Sequence, residues 1–208
     1  MTNAGDGTVL IADDEPEIVE LYEFWLGSEY DVETATSGDE ALELIDDAVG
    51  VVLLDRNMPE RSGDDVLEEI RRLKLPCRVS MVTAIEPSFD VIGMPFDDYL
   101  VKPIFRKELT ETVVNLLTLS GFDETIQEYF ALVSKMATLK SSLPSTSLES
   151  NDEYVRLKER VRSIRKTAGR EFDEVSQTED FESTFRRLSR HWDVYAAATA
   201  DGEASSKP

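Results

Sequence analysis

One cysteine and one histidine stand among 208 residues, and that scarcity excludes a good deal. Cys77 alone cannot build an internal disulfide framework or a multi-cysteine metal centre, and reads as a small buried residue. His191 alone argues against a histidine-based zinc or catalytic site. No run of about 18 apolar residues occurs, so no membrane-spanning helix is expected. Residues 1–13 lack a basic start and a long apolar stretch, so no signal peptide is expected, and the expected location is cytoplasmic. Cations are also few, with 22 Lys and Arg against 43 Asp and Glu and a net charge of −21. Of the bases only 8 are lysine. Such an acidic, lysine-poor chain, still 41% hydrophobic and so able to bury a core, is the composition expected of a halophilic protein. Net charge of this kind speaks to solubility and not to fold.

What is present divides in two. Residues 1–120 carry 27 acids and 9 bases, and residues 121–208 carry 16 acids and 13 bases. The first part alternates short apolar runs at 9–12, 31–35, 51–54, 79–82 and 99–101 with amphipathic stretches. Helix faces are predicted from Ile18, Tyr22 and Trp25, from Ala41, Leu44 and Ile45, and from Val66, Leu67, Ile70 and Leu73. Ser37 and Glu40 have the spacing of a capping box. Strand and helix in alternation predict an α/β fold, a doubly wound five-stranded parallel sheet of flavodoxin-like type with five helices. Pro87, Gly93 and Pro95 are poor helix interiors, so the fourth helix is expected to be short or distorted.

The second part has no convincing strand. Its apolar residues step by threes and fours: Phe122, Ile126, Tyr129, Val133, Met136; Tyr154, Leu157, Val161, Ile164, Ala168; Phe181, Phe185, Leu188, Trp192, Tyr195. Three helices in an all-α hairpin or small bundle are expected, the first two separated by the Ser/Pro-rich stretch 141–147. Gly169 interrupts or ends the second, and 178–180 opens the third. The expected domains are 1–120 and 121–197, with 198–208 a disordered tail.

In a doubly wound sheet, ligands bind outside the carboxyl ends of the strands. Asp13 and Asp14 close the first strand, Asp55 the third, Thr83 the fourth and Lys102 the fifth. Clustered carboxylates need a cation, and a hard divalent ion such as Mg²⁺ takes oxygen ligands. Such an ion, with the Lys102 ammonium and the Thr83 hydroxyl, could hold a phosphoryl group, and a carboxylate can act as nucleophile to form an acyl phosphate. Asp55, the most central of the set, is the candidate nucleophile.

These residues carry a resemblance. LIADDEPE at 10–17, VVLLDRNMP at 51–59, Gly63, VTA at 82–84 and YLVKP at 99–103 resemble the receiver domain of two-component response regulators, over about 1–120. The resemblance implies that Asp55 accepts a phosphoryl group from a sensor histidine kinase. It implies that Asp13, Asp14, Asp55 and the backbone carbonyl of Asn57 hold Mg²⁺, and that Thr83 and Lys102 contact the phosphoryl group. It also implies that Tyr99 relays the switch together with Thr83, and that the Lys102–Pro103 bond is cis. No enzymatic turnover is implied beyond self-catalysed phosphotransfer and dephosphorylation.

From about 122 to 195, EYFALVSKMATLKSSL, EYVRLKERVRSIR and DFESTFRRL resemble the HalX domain, a helical module attached to receivers in haloarchaeal response regulators. Two outputs are open. The helices could form a homodimer or dock another protein. Alternatively they could bind DNA through the basic stretch of Arg156, Lys158, Arg160, Arg162, Arg165, Lys166 and Arg170, in which Glu159 is the one acid. An enzymatic output finds no support: this part has no clustered carboxylates and no glycine-rich phosphate loop. His191 and Trp192 read as packing or surface residues.

Overall fold

The structure, a computed structural model, describes residues 7–167. By their contacts these fall into two units, one of 7–86 with 94–121 and the other of 87–93 with 122–167.

The first unit is built on five strands: β1 (Thr8–Ala12), β2 (Val32–Ala35), β3 (Val49–Leu54), β4 (Arg78–Thr83) and β5 (Asp98–Val101). They pair in the order β2-β1-β3-β4-β5, every pair parallel. β1, β3 and β4 are buried along nearly their whole length, which is why they read as continuous apolar runs. β2 lies at the edge and buries only Ala35 fully. That placement accounts for its weak signal in the sequence. The order reverses between β1 and β3, so the crevice at the carboxyl ends opens between Ala12 and Leu54.

The helices of this unit are α1 (Pro16–Leu26), α2 (Gly38–Leu44), α3 (Gly63–Arg72) and α4 (Arg106–Leu119). The stripe on α1 is Val19, Tyr22 and Leu26, not Ile18, Tyr22 and Trp25. Apolar residues stand on nearly every side of α1, with Phe24 largely exposed, so the period alone could not select the face. On α3, Val66, Leu67 and Ile70 are buried as expected, but Leu73 is the cap and half exposed. Lys74, at φ 57°, then turns the chain away. Ser37 does cap α2 by accepting from the Glu40 amide, but the Glu40 carboxylate reaches back to Thr36 and not to Ser37.

The full capping box lies instead at α3. There Ser62 Oγ accepts from the Asp65 amide at 3.2 Å, while Asp65 accepts from the Ser62 amide at 3.2 Å and hydroxyl at 2.6 Å. Ser62→Ala is expected to lower stability by about 1 kcal/mol. Urea titration should show a reduced midpoint at unchanged slope. An unmoved midpoint would mean that water replaces the cap.

The second unit contains α5 (Glu124–Ser142), α6 (Ser145–Ser150) and α7 (Asp152–Thr167). Asp123 caps α5 by accepting from the amides of Thr125 and Ile126, and Asn151 opens α7 by accepting from the Tyr154 amide. Ile126, Tyr129, Val133 and Met136 are buried on α5, and Tyr154, Leu157, Val161 and Ile164 on α7, as the spacing predicts. Phe122 is only half-buried and precedes α5. The burial on α5 is wider than a stripe, since 133–139 is buried without a break, Ser134, Lys135 and Thr138 included. The Ser/Pro-rich stretch is not a mere separator, because Pro144 leads directly into α6, which buries Leu148.

Between β4 and β5 the chain forms a 3-10 turn at Phe89–Ile92 in place of a fourth full helix, as the prolines and glycine predicted. It packs with α5 and α7. Ala168, Gly169, Arg170, the opening at 178–180, the third apolar stripe, His191, Trp192 and the tail from 198 lie outside the described residues. Among the described residues, no helix is long and apolar enough to cross a membrane.

Candidate functional site

Two strand ends carry the chemistry. β1 runs directly into Asp13, whose amide donates to the Ala35 carbonyl at 3.1 Å. β3 runs into Asp55, whose amide donates to the Ala12 carbonyl at 2.8 Å. The parallel ladder thus continues one residue past each strand and sets the two carboxylates side by side. Both are buried, Asp13 at 2% and Asp55 at 4% exposure. Asp14 and Asn57 are exposed at the same strand ends.

Lys102 follows β5, and its amide donates to the Thr83 carbonyl at 2.8 Å. Its ammonium reaches across to Asp13 Oδ2 at 2.6 Å and Asp55 Oδ1 at 3.0 Å, with Glu15 Oε1 further off at 3.6 Å. The Lys102–Pro103 bond is cis. The remaining carboxylate oxygens are held by the backbone. Asp55 Oδ2 accepts from the Asn57 amide at 2.5 Å, and Asp13 Oδ1 accepts from the Glu15 amide at 3.1 Å. Thr83, 1% exposed, ends β4. Its Oγ1 accepts from the Ile85 amide at 3.3 Å, and the Tyr99 hydroxyl donates to the Ile85 carbonyl at 2.8 Å.

The structure therefore brings Asp13, Asp55 and Lys102 into direct contact, with Thr83 ending the neighbouring strand and joined to Tyr99 through Ile85. Sequence reasoning held Gly63 only as part of a motif and did not find the reason for it. A Cβ at this position would lie 2.1 Å from the Asp55 carbonyl oxygen, so only glycine lets α3 begin against the backbone of Asp55. Nor did it find Arg56, which grips Asp64 through Nε and Nη2 at 3.0 to 3.1 Å and braces the loop that follows Asp55. The only signal for Arg56 was its place beside Asp55.

The electrostatics are unbalanced. Three carboxylates, on Asp13, Glu15 and Asp55, lie around one ammonium, and Asp14 stands exposed beside them in the chain. Burial raises the Asp13 pKa above its ordinary value, even though Lys102 and the Glu15 amide pull it down. Burial opposes the Lys102 charge, but hydrogen bonds to Asp13 and Asp55 and their charges outweigh it and raise the ammonium's pKa. Tyr22 is pushed up to about 12, by burial first and then by the nearby carboxylates. An excess of hard oxygen donors with a disfavoured negative charge fits a hard divalent cation such as Mg²⁺. Among the described residues, no three such side chains form a ready cage. The Lys102 ammonium itself bridges Asp13 and Asp55.

On α7, which carries the bases of the alternative DNA-binding reading, Arg156, Arg160, Arg162 and Lys166 are exposed, and Lys158 and Arg165 are half-buried. Arg160 is paired with Glu128 of α5 through both carboxylate oxygens. The Cys77 thiol is buried, and its pKa is raised by that burial.

Two family models match this chain, the response regulator receiver domain over residues 9–114 and the HalX domain over 118–185. A provisionally named transcriptional regulator of Haloferax volcanii is 52% identical over 139 residues, covering 66% of this chain and 24% of that protein. The response regulator SaeR of Staphylococcus aureus is 38% identical over 114 residues, covering 53% of this chain and 50% of its own. The chain thus spans between a quarter and a half of the curated relatives it matches. Among solved structures, a CheY-like receiver domain protein from Methanospirillum hungatei matches with a TM-score of 0.51 at 27% identity, over 55% of this chain and 95% of that one. The chemotaxis protein CheY4 of Vibrio cholerae matches with a TM-score of 0.50 at 28% identity, over 53% and 98%.

Proposed function

Because the chain belongs to the response regulator receiver family, with a HalX domain after its receiver, we propose that it receives a phosphoryl group on Asp55 from a sensor histidine kinase and passes that state to its helical part. The observation that carries this reading is the contact of Lys102 with both Asp13 and Asp55 at the switch point of the sheet. We assign the receiver to about 1–120 and the helical output to about 121–197.

In the transfer, an Asp55 carboxylate oxygen attacks the phosphorus of a phosphohistidine. The new O–P bond forms as the P–N bond breaks, and the imidazole leaves. Lys102 keeps its ammonium against the oxygens, and Thr83 offers its hydroxyl to the phosphoryl group. Tyr99, tied to Thr83 through Ile85, follows the Thr83 movement. Water later attacks the acyl phosphate, releasing inorganic phosphate and restoring the carboxylate. Asp13, Asp14, Asp55 and the Asn57 carbonyl would hold Mg²⁺. Bound there, the ion neutralises charge on the phosphoryl oxygens. A cytoplasmic, high-salt setting agrees with the acidic composition and with the absence of a membrane-crossing helix among the described residues.

Intact mass after treatment with acetyl phosphate and Mg²⁺ should show a single phosphate adduct, absent in Asp55→Ala. An adduct that persists in Asp55→Ala would move the acceptor elsewhere.

For the output we favour protein contact or dimerisation over DNA. Arg160 is already paired within the helical unit, and a net charge of −21 opposes approach to DNA, whose binding weakens steeply with salt. Among the described residues the stripes of α5 and α7 are buried, so a contact surface is sought elsewhere on the unit. The second reading is DNA binding through the exposed bases of α7, and the name of the Haloferax volcanii relative favours it. Light scattering and DNA shift assays on the phosphorylated chain from about 0.2 to 2 M KCl separate the two, since screening tightens across that range. A monomer that shifts a specific DNA at high salt would decide for the second.

A further inference from the structure

The connection from β4 to β5 starts and ends in the sheet unit, yet its middle does not belong there. Residues 84–86 stay with the sheet, Pro87–Gly93 group with the helical unit, and Met94 returns. Val91 of this segment is fully buried and Pro87 is buried. The Lys135 ammonium, on the buried middle of α5, donates to the Ile92 carbonyl at 3.2 Å. Lys135 is 7% exposed. Burying a lysine costs far more than burying the Met or Leu that would fill the same volume, so its hydrogen bonds are what justify it there.

The other end of the same connection is held by Thr83 and Tyr99. Ile85 is clasped at its amide by Thr83 Oγ1 and at its carbonyl by the Tyr99 hydroxyl. Glu86, between Ile85 and Pro87, is confined to extended geometry because it precedes proline, and Pro87 has its own φ fixed. A displacement at Ile85 is therefore handed on at Pro87 and not absorbed there.

We propose that Pro87–Gly93 is the element through which the state of the Asp55 site reaches the helical unit, and that Lys135 is the latch by which α5 responds. The inference rests on the phosphoacceptor reading for its trigger. When Thr83 turns its hydroxyl toward a phosphoryl oxygen, the Ile85 amide loses its acceptor. The 84–86 stretch shifts, Pro87 carries the shift into the 3-10 turn, and the Ile92 carbonyl moves against Lys135. The helical unit is informed through a piece of its own packing.

The test is hydrogen exchange on the full chain, with intact mass recording phosphorylation in the same samples. Without phosphate, Thr83→Ala removes the acceptor from Ile85 and is expected to speed exchange about tenfold at 84–93 and in the middle of α5, the order expected for one lost hydrogen bond. In the phosphorylated chain the same two stretches are expected to change together. Lys135→Met is expected to take up phosphate as the native chain does and keep the change at 84–86, while losing it in α5. Pro87→Gly leaves Lys135 in place but gives the joint slack, and it is expected to uncouple α5 in the same way. A response in α5 that survives both substitutions would overturn the proposal, and so would a Thr83→Ala effect that stops at residue 86. If the native chain takes no phosphate, the phosphoacceptor reading fails, and the Thr83→Ala arm still decides whether the connection transmits.

Discussion

A Lys102→Met chain is expected to lose about 3–5 kcal/mol of stability near neutral pH, the usual cost of removing one partner from a buried ion pair. The ammonium lies 2.6 Å from one oxygen of Asp13 and 3.0 Å from one of Asp55. Without it, two buried carboxylates face each other with only backbone amides to hold them. The pH dependence separates this loss from a simple packing defect. Lys102 has a folded pKa raised above its ordinary 10.5, so its contribution is complete below that value and lost only as pH climbs through the folded one. Asp13 has a folded pKa raised above 3.8, chiefly by burial, so its protonated form favours the fold. That contribution is present at low pH and lost as pH rises through the raised value. Removing Lys102 takes away the main influences that pull the Asp13 pKa down. On going from neutral to mildly acidic pH, the variant should therefore regain more stability than the native chain. Mg²⁺ should rescue it as well, since a bound cation stabilises by about 2.7 kcal/mol at a hundredfold excess over Kd. Urea titrations at both pH values, with and without Mg²⁺, check each part. Equal losses under all four conditions would reduce Lys102 to a packing residue.

The carboxylate site was legible because each of its residues stands where a strand ends, and strand ends in a parallel sheet announce themselves as apolar runs that stop at a polar residue. Asp13, Asp55, Thr83 and Lys102 each follow or close such a run. Gly63 was quoted only as part of a motif, and its reason was invisible. That reason is the proximity of a Cβ to the Asp55 carbonyl, a contact between segments that no local pattern encodes. Arg56 and Asp64 were missed for the same cause, since an ion pair across eight residues leaves no periodicity.

In the helical part, the core-facing residues of α5 and α7 followed from spacing, but the environment of α5 did not. A sequence with Ser134, Lys135 and Thr138 between apolar residues reads as one buried face and one solvated face, yet all three are buried. Part of what lies against them comes from the connection between β4 and β5, more than 40 residues earlier in the chain. The sequence showed that this connection could not be a long helix. Where it packs depends on long-range contact, and on the short α6 that brings α7 to α5.

Gly63→Ala is expected to injure both stability and chemistry. The added Cβ would meet the Asp55 carbonyl oxygen at 2.1 Å and the Arg56 Cα at 3.0 Å, and both neighbours are backbone that cannot swing aside. Either α3 retreats from the sheet or the backbone of Asp55 is pushed off the end of β3. The first costs about 1–3 kcal/mol, the range for forcing extra volume into a packed region. The second misplaces Asp55, the proposed phosphoacceptor, and a shift near 1 Å in reacting groups lowers rates by about 10²-fold. Ser62→Ala is the control, one residue earlier on the same helix start. It should lose the capping hydrogen bond, and hence about 1 kcal/mol, while leaving Asp55 in place and phosphotransfer at the native rate. Measuring the rate of adduct formation from acetyl phosphate at a temperature where both variants are folded distinguishes the two effects. Native-rate transfer in Gly63→Ala would mean that α3 yields entirely, and that the close approach serves packing and not the placement of Asp55.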